Sequence, residues 1–299
     1  MRKSRPRIAI ATCVGYEDLK ADDRLLREAL AARGAEARSV VWDEEGTSWE
    51  DTDLCLVRST WDYHEEHEQF LAWTREVETA AALHNPADLI AWNSEKTYLR
   101  ELAEAGVSTV STVWVERGSA GDIEKILGRE GWDEVVVKPV VDLGAKNLQR
   151  ARAGDGSAQE ALATVLARHD AIVQPFLPSL EEQGEISLIY IDGAFSHAVR
   201  KRPAEGDFRV QGIWGGTVEP AEAEAEQVEV AQAALAFLDT PPLYARVDLV
   251  EDLDGSPALI ELELIEPNLY LATHPPAAGA LAAAALLRVD VDADRDVLQ

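Results

Sequence analysis

Short apolar runs alternate with amphipathic stretches through the first third of the chain. Arg7–Cys13, Ala37–Trp42 and Leu54–Arg58 have the near-continuous apolar character of buried strands. Between them, Asp22–Arg33 has helical spacing, with Asp22 or Asp23 as a cap and Gly34 as a stop. Glu66–Leu83 sets Phe70, Trp73 and Val77 on one helical face. Strands alternating with helices predict a parallel sheet covered on both sides. Such sheets bind ligands beyond the carboxyl ends of their strands, where this chain carries Arg58-Ser59-Thr60-Trp61-Asp62-Tyr63.

The pattern changes near Asn93. A helix over Ser94–Ala105, a strand over Val110–Glu116, a second helix, a strand over Glu134–Lys138, a third helix and a strand over Ala171–Phe176 are expected. Two hairpin signals follow, Asp192-Gly193 and Asp254-Gly255, with helices over Ala221–Leu238 and Pro276–Val289. The expected fold is α/β plus α+β, in three parts: residues 1–90, 91–175 and 176–299.

Spacing alone gives the second hairpin a chemical character. A two-residue turn sets Leu253 opposite Ser256, hence Asp248 opposite Glu261 and Arg246 opposite Glu263. Period-two alternation puts these four on one face, and Val247, Leu249, Ile260, Leu262 and Leu264 on the other. Like charges directly opposed across a ladder are destabilising, and a hard divalent cation would resolve the opposition. A water-screened strand face accounts for the same acids. In the first hairpin the same count sets Glu185 opposite Arg200, at the head of Arg200-Lys201-Arg202. That basic run reads as a surface salt bridge or as an anion site.

Composition narrows the partners. The 28 Lys and Arg stand against 55 Asp and Glu, a net charge of −27. This argues against nucleic acid and anionic membranes, both of which call for basic surface. Cys13 and Cys55 lie inside apolar runs and read as buried thiols of a reducing compartment. Neither the short apolar stretch after Arg7 nor Ala277–Leu287 suits a signal peptide or a membrane span, so a cytoplasmic protein is expected.

Taken in order from Asn93 to Asn268, these residues resemble the ATP-grasp superfamily of carboxylate–amine ligases. The resemblance makes residues 1–90 a pre-ATP-grasp domain, 91–175 the small lobe or lid, and 176–299 the lobe with the metal site. It implies ATP and Mg2+ as cofactors. Lys96 and Lys138 match its phosphate-binding lysines, and Gln174-Pro175-Phe176-Leu177 its adenine hinge, with Glu182 or Glu185 for the ribose. Arg200 and Arg202 match its basic strand end, Phe208 to Gly216 its substrate-side loop, and Arg246, Asp248, Glu261 and Glu263 its metal and transition-state cluster. The chain departs from the pattern in three places: Val140–Leu148 holds only Gly144, Glu263 replaces an asparagine, and Pro267 lies one place late.

Within the superfamily, Arg-Ser-Thr-Trp-Asp-Tyr, Asn-Ser-Glu-Lys and Glu-Leu-Glu-Leu-Ile-Glu-Pro-Asn-Leu-Tyr are most similar to the branch that closes O-ureido-D-serine to D-cycloserine in antibiotic biosynthesis. That likeness implies an acyl phosphate attacked by a nitrogen of the same molecule, with release of ADP and phosphate. Arg58, Ser59, Trp61, Asp62, Trp214, Gly215 and Asn268 are then the candidate substrate contacts, with Arg246 and Arg200 catalytic. The expected partners are a small amino-acid-derived substrate and, at most, a second copy in a homodimer. An intermolecular ligase joining two amino acids and a non-catalytic nucleotide-binding scaffold are the competing readings, separable by ADP release and by the product formed.

Overall fold

The computed structural model describes residues 5–119 and 121–296, with side chains described through residue 289. The first region runs β1 (Arg7–Thr12), α1 (Ala21–Ala32), β2 (Glu36–Val41), β3 (Leu54–Ser59), α2 (His67–Ala80) and β4 (Ala82–His84). Its strands form one wholly parallel sheet in the order β2-β1-β3-β4. The pattern of buried apolar strands produces this, since β3 is buried along its whole length and β1 from Ile8 onward. The helix expected to reach Leu83 ends earlier, and Leu83 joins the sheet beside Cys55.

Two short helices, α3 (Ala87–Asn93) and α4 (Tyr98–Glu104), lead into the second region. There β5 (Val113–Val115), α5 (Ile123–Glu130), β6 (Glu134–Pro139), β7 (Gln149–Arg152), α6 (Ser157–Leu166) and β8 (Ala171–Pro175) follow. The sheet is antiparallel, ordered β5-β8-β6-β7, with α5 and α6 packed on it around Ile123, Leu127, Leu162 and Val165. The third region holds α7 (Ser179–Glu182), β9 (Glu185–Ile191), β10 (Ala194–Arg202), β11 (Thr217–Ala221), α8 (Ala225–Ala236), β12 (Tyr244–Glu251), β13 (Pro257–Glu263) and α9 (Pro276–Asp296). Its antiparallel sheet has the order β11-β10-β9-β12-β13. Leu281, Ala282 and Ala285 of α9 share one core with Ile8 and Leu54 of the first sheet and Ile189 of the third. No described helix is long and apolar enough to cross a membrane.

The two hairpins place the chemistry, and each carries a bulge. In the first, the turn is the expected Asp192-Gly193, both residues at positive φ, as a two-residue turn of that hand requires. The register then slips by one between Phe195 and His197, so Glu185 faces Lys201 and Arg200 faces Ile186. This corrects the Glu185–Arg200 pairing. In the second, Asp252 N–H bonds to Ser256 O at 2.9 Å, making the loop three residues long instead of two. An extra residue, Ile260, restores the count, so Asp248 faces Glu261 and Arg246 faces Glu263 as expected. The bulge also moves Ile260 off the core face, and Leu259 packs there against Leu249 in its place.

Strand β13 is an edge strand whose outer backbone groups are satisfied from outside the sheet. Asn93 donates to Leu262 O at 2.8 Å and accepts from Leu264 N at 2.8 Å, while Tyr98 OH accepts from Leu262 N at 2.9 Å. Asn85 binds Tyr244 O and Leu264 O in the same way. These side chains fix the acidic strand against the first region.

Candidate active site

A cavity of about 510 Å3 opens where the three sheets meet. Glu261, Glu263 and Arg246 come from the second hairpin, Glu185 and Lys201 from the first, Lys138 from the end of β6 and Lys96 from the turn before α4. Gly184 permits this crowding, because a Cβ there would overlap the Lys201 carbonyl oxygen.

The charges interlock. Asp248, 1% exposed beneath the cavity floor, accepts from Arg246 Nε at 2.9 Å, Ser187 Oγ at 2.6 Å and Lys201 Nζ at 3.0 Å. Lys201 also pairs with Glu185, and Arg246 with Glu263. Lys96 Nζ meets Glu261 at 2.7 Å and Asp142 O at 3.0 Å. Burial pushes Asp248 up, but Arg246 and Lys201 more than offset it and hold its carboxyl well below the usual range. At Glu263 burial outweighs the pull of Arg246 and is reinforced by Glu261 and Asp248, so the carboxyl is pushed up to about 7. Burial also pushes the Lys138 ammonium down to about 8.

Asp248, Glu261 and Glu263 each bring an oxygen within 4.8 Å of the others. An all-carboxylate set suits a hard divalent cation of the Mg2+ type, and three acids gathered this closely carry a like-charge cost that a cation would offset. The residues present therefore fit the ion that the resemblance implies.

At the hinge end, Gln174 and Leu177 line the cavity with Val136 and Ile260. Gln174 is oriented by Thr112, to whose Oγ1 it donates at 2.9 Å. Phe176 does not line the cavity; it turns away beneath the Arg150 guanidinium, 3.4 Å from the ring centre. Glu182 also lies outside, on α7. Lys201, not its neighbours, is the basic residue brought to the cluster. Arg200 points to Gln183 O at 3.3 Å, and Arg202 pairs with Glu219 at 3.1 Å. The slipped register is the reason, since it exchanges which residues of β10 face inward.

At the opposite end, Trp61, Asp62 and Asn268 line the cavity, with Cys13 and Tyr16 beside them. Asp62 accepts from Trp42 Nε1 at 2.8 Å. Arg58 and Ser59 are buried behind this wall and both bond to Asp23, at 2.9 and 2.7 Å. Arg58 also donates to Pro267 O at 2.8 Å, so it braces the wall from within. Trp214 and Gly215 lie just outside the lining, where Trp214 Nε1 donates to Gly144 O at 2.9 Å. Among the cavity residues given no role from the sequence are Lys201, Asp142 and Glu266. Lys201 left a signal in the basic run, and Glu266 lies inside the Glu-Leu-Glu-Leu-Ile-Glu-Pro-Asn-Leu-Tyr stretch that carries the resemblance.

This architecture, with two antiparallel lobes closing on a carboxylate cluster, is that of an ATP-grasp ligase. The model of the prokaryotic glutathione synthetase ATP-grasp domain matches residues 103–267, and that of the N-terminal domain of the D-cycloserine synthetase DcsG matches residues 8–85. The chain belongs to the ATP-grasp family, as an ATP-dependent ligase with a DcsG-type N-terminal domain. It is 33% identical to the cycloserine biosynthesis protein DcsG of Streptomyces lavendulae over 267 residues, covering 82% of this chain and 86% of that one. A glutathione synthetase of Prochlorococcus marinus (strain MIT 9313) is 29% identical over 190 residues, covering 62% of this chain and 57% of the relative. The crystal structure of D-cycloserine synthetase DcsG superposes with a TM-score of 0.85 at 31% identity, covering 95% of this chain and 99% of that one. A D-alanine–D-alanine ligase from Bacillus anthracis shares the fold at 16% identity, with a TM-score of 0.71 over 98% of this chain and 100% of that one.

Proposed function

We propose that this chain uses ATP to close O-ureido-D-serine to D-cycloserine. One observation carries the reading: a single cavity joins the carboxylate and lysine cluster of a ligase to a wall supplied by the DcsG-type domain. ATP would lie with its base against Val136, Leu177 and Ile260 and its phosphates toward Lys96 and Lys138. A divalent cation held by Asp248, Glu261 and Glu263 would supply charge neutralisation on those phosphates.

The γ-phosphoryl group passes to the substrate carboxylate, giving an acyl phosphate. Arg246 and Lys201 face the reacting centre with fixed positive charge, already desolvated, and so stabilise the transferring group at little reorganisation cost. The nitrogen bonded to the substrate's side-chain oxygen then attacks the acyl carbon. A C–N bond forms, the nitrogen gives up its proton, the bond between the acyl carbon and the phosphate oxygen breaks, and phosphate leaves with that electron pair. The carbamoyl group left on the ring nitrogen is removed by one water as carbon dioxide and ammonia. Enclosure favours the intramolecular attack by holding both ends of the substrate at high effective concentration.

Mass spectrometry of a reaction with ATP, Mg2+ and O-ureido-D-serine tests this. One D-cycloserine and one ammonia per ADP are expected. ADP release without the ring product, or a coupled dipeptide when a second amino acid is supplied, would overturn it.

A further inference from the structure

Among the described residues seven acidic side chains line the cavity, and six of these have a partner. Glu185 pairs with Lys201, Glu261 with Lys96 and Glu263 with Arg246. Asp62 accepts from Trp42, Asp142 from Asn147, and Glu65 lies 3.8 Å from Lys146. Glu266 is the exception. It is 4% exposed and borders the cavity, yet among the described residues no donor is hydrogen-bonded to its carboxyl group.

Its backbone is held from three directions. Trp61 Nε1 donates to Glu266 O at 3.2 Å, Arg58 to Pro267 O at 2.8 Å and Arg246 to Asn268 O at 3.2 Å. A buried carboxyl group without a partner costs stability and is retained where something else completes its bonding. Glu266 lines the cavity together with Glu263 of the cation-holding set and with Trp61, whose indole holds the Glu266 carbonyl, so it is available to the end of a substrate that points away from the phosphates.

Building on the function proposed above, we propose that Glu266 is the catalytic base that takes the proton from the attacking nitrogen during ring closure. The N–H pair becomes the new C–N bond, the proton moves to a Glu266 oxygen, and the acyl C–O pair leaves on phosphate. Burial first, then the fields of Glu263 and Glu261, raises this carboxyl group above its ordinary value, which makes its ionised form a stronger base than a solvated carboxylate. A cation on those two carboxylates would offset their field and so favour the ionised form that the step requires.

Glu266→Gln preserves volume and removes basicity, and Glu266→Asp keeps the carboxylate but shortens its reach. In each folded variant, ADP, D-cycloserine and the hydroxamate trapped from the acyl phosphate by hydroxylamine are measured beside the wild type. Glu266→Gln should lower ring product per ADP by about 100-fold, the usual worth of a general base, while ADP and hydroxamate persist. Glu266→Asp should fall between. A wild-type ratio of ring to ADP in either variant, or loss of ADP in step with the ring, overturns the assignment. Absence of ring product from the wild type would instead refute the proposed function.

Discussion

Replacing Lys201 with Met removes the one ammonium that serves both Glu185 and Asp248, and all three side chains are at least nine-tenths buried. Asp248 keeps Arg246, but Glu185 is left without a cation. Removing one member of a buried charge set costs about 3–5 kcal/mol. Burial already lifts the Glu185 carboxyl to about 8 against the counter-pull of Lys201, so at pH 7 the orphaned group takes a proton instead of staying charged. That relief sets the expected loss near the lower end, about 3 kcal/mol. Arg200→Met, which removes only a contact to Gln183 O, should cost about 0.5 kcal/mol. Urea unfolding of both variants measures the difference. The sign with pH also follows. A carboxyl raised in the folded state binds more protons folded than unfolded, so its contribution to stability falls as pH rises from the ordinary carboxylate range toward about 8. Without Lys201 the variant keeps that proton to higher pH than the wild type, so the Lys201→Met deficit should stay level between pH 5 and pH 7 and widen as pH rises through about 8. Equal costs for the two variants, or a larger cost at Arg200, would refute the bulged register and the cluster built on it.

Three further outcomes are expected. Lys138, pushed down to about 8 by burial, loses its ammonium above that pH, so calorimetric ATP affinity should weaken there, and Lys138→Met should bind more weakly with a flat profile. Leu259→Ala should cost about 3 kcal/mol in unfolding experiments with little effect on nucleotide, whereas Ile260→Ala should leave stability within about 1 kcal/mol and weaken ATP by about tenfold. Arg58→Met should destabilise by about 3 kcal/mol, because Asp23 keeps a buried charge without its partner, and should leave the KM for substrate within about twofold. A raised KM at unchanged stability would make Arg58 a substrate contact after all.

Much of the fold was legible because periodicity reports burial directly. The parallel sheet follows from apolar runs such as Ile8–Ala11 and Leu54–Val57, which stay buried on both faces. Helix ends were less legible. The helical spacing through Val77 continues into Leu83, and nothing local says that Leu83 pairs with Cys55 instead. Arg58 and Ser59 fall at a carboxyl strand end where ligands commonly bind, but their neighbour Asp23 arrives from α1, a contact only the tertiary structure makes. Polar residues at such an edge bind substrate or brace the wall behind it, and the chain sequence is the same in either case.

The hairpins show where counting along strands stops being reliable. Both predicted registers assumed an unbroken ladder, and both ladders are broken by one extra residue. At Asp254-Gly255 the loop was a residue longer than assumed and the bulge at Ile260 lay between the turn and the acids, so the two departures cancelled at Asp248–Glu261. At Asp192-Gly193 the turn was as expected, so the slip before His197 stood uncorrected and carried Lys201 to Glu185 in place of Arg200. A bulge adds a residue without leaving a compositional mark, because Ser196 and Ile260 are ordinary strand residues. Its position is set by what the strand must present on each side, here Lys201 to two buried carboxylates and Ile260 to the cavity.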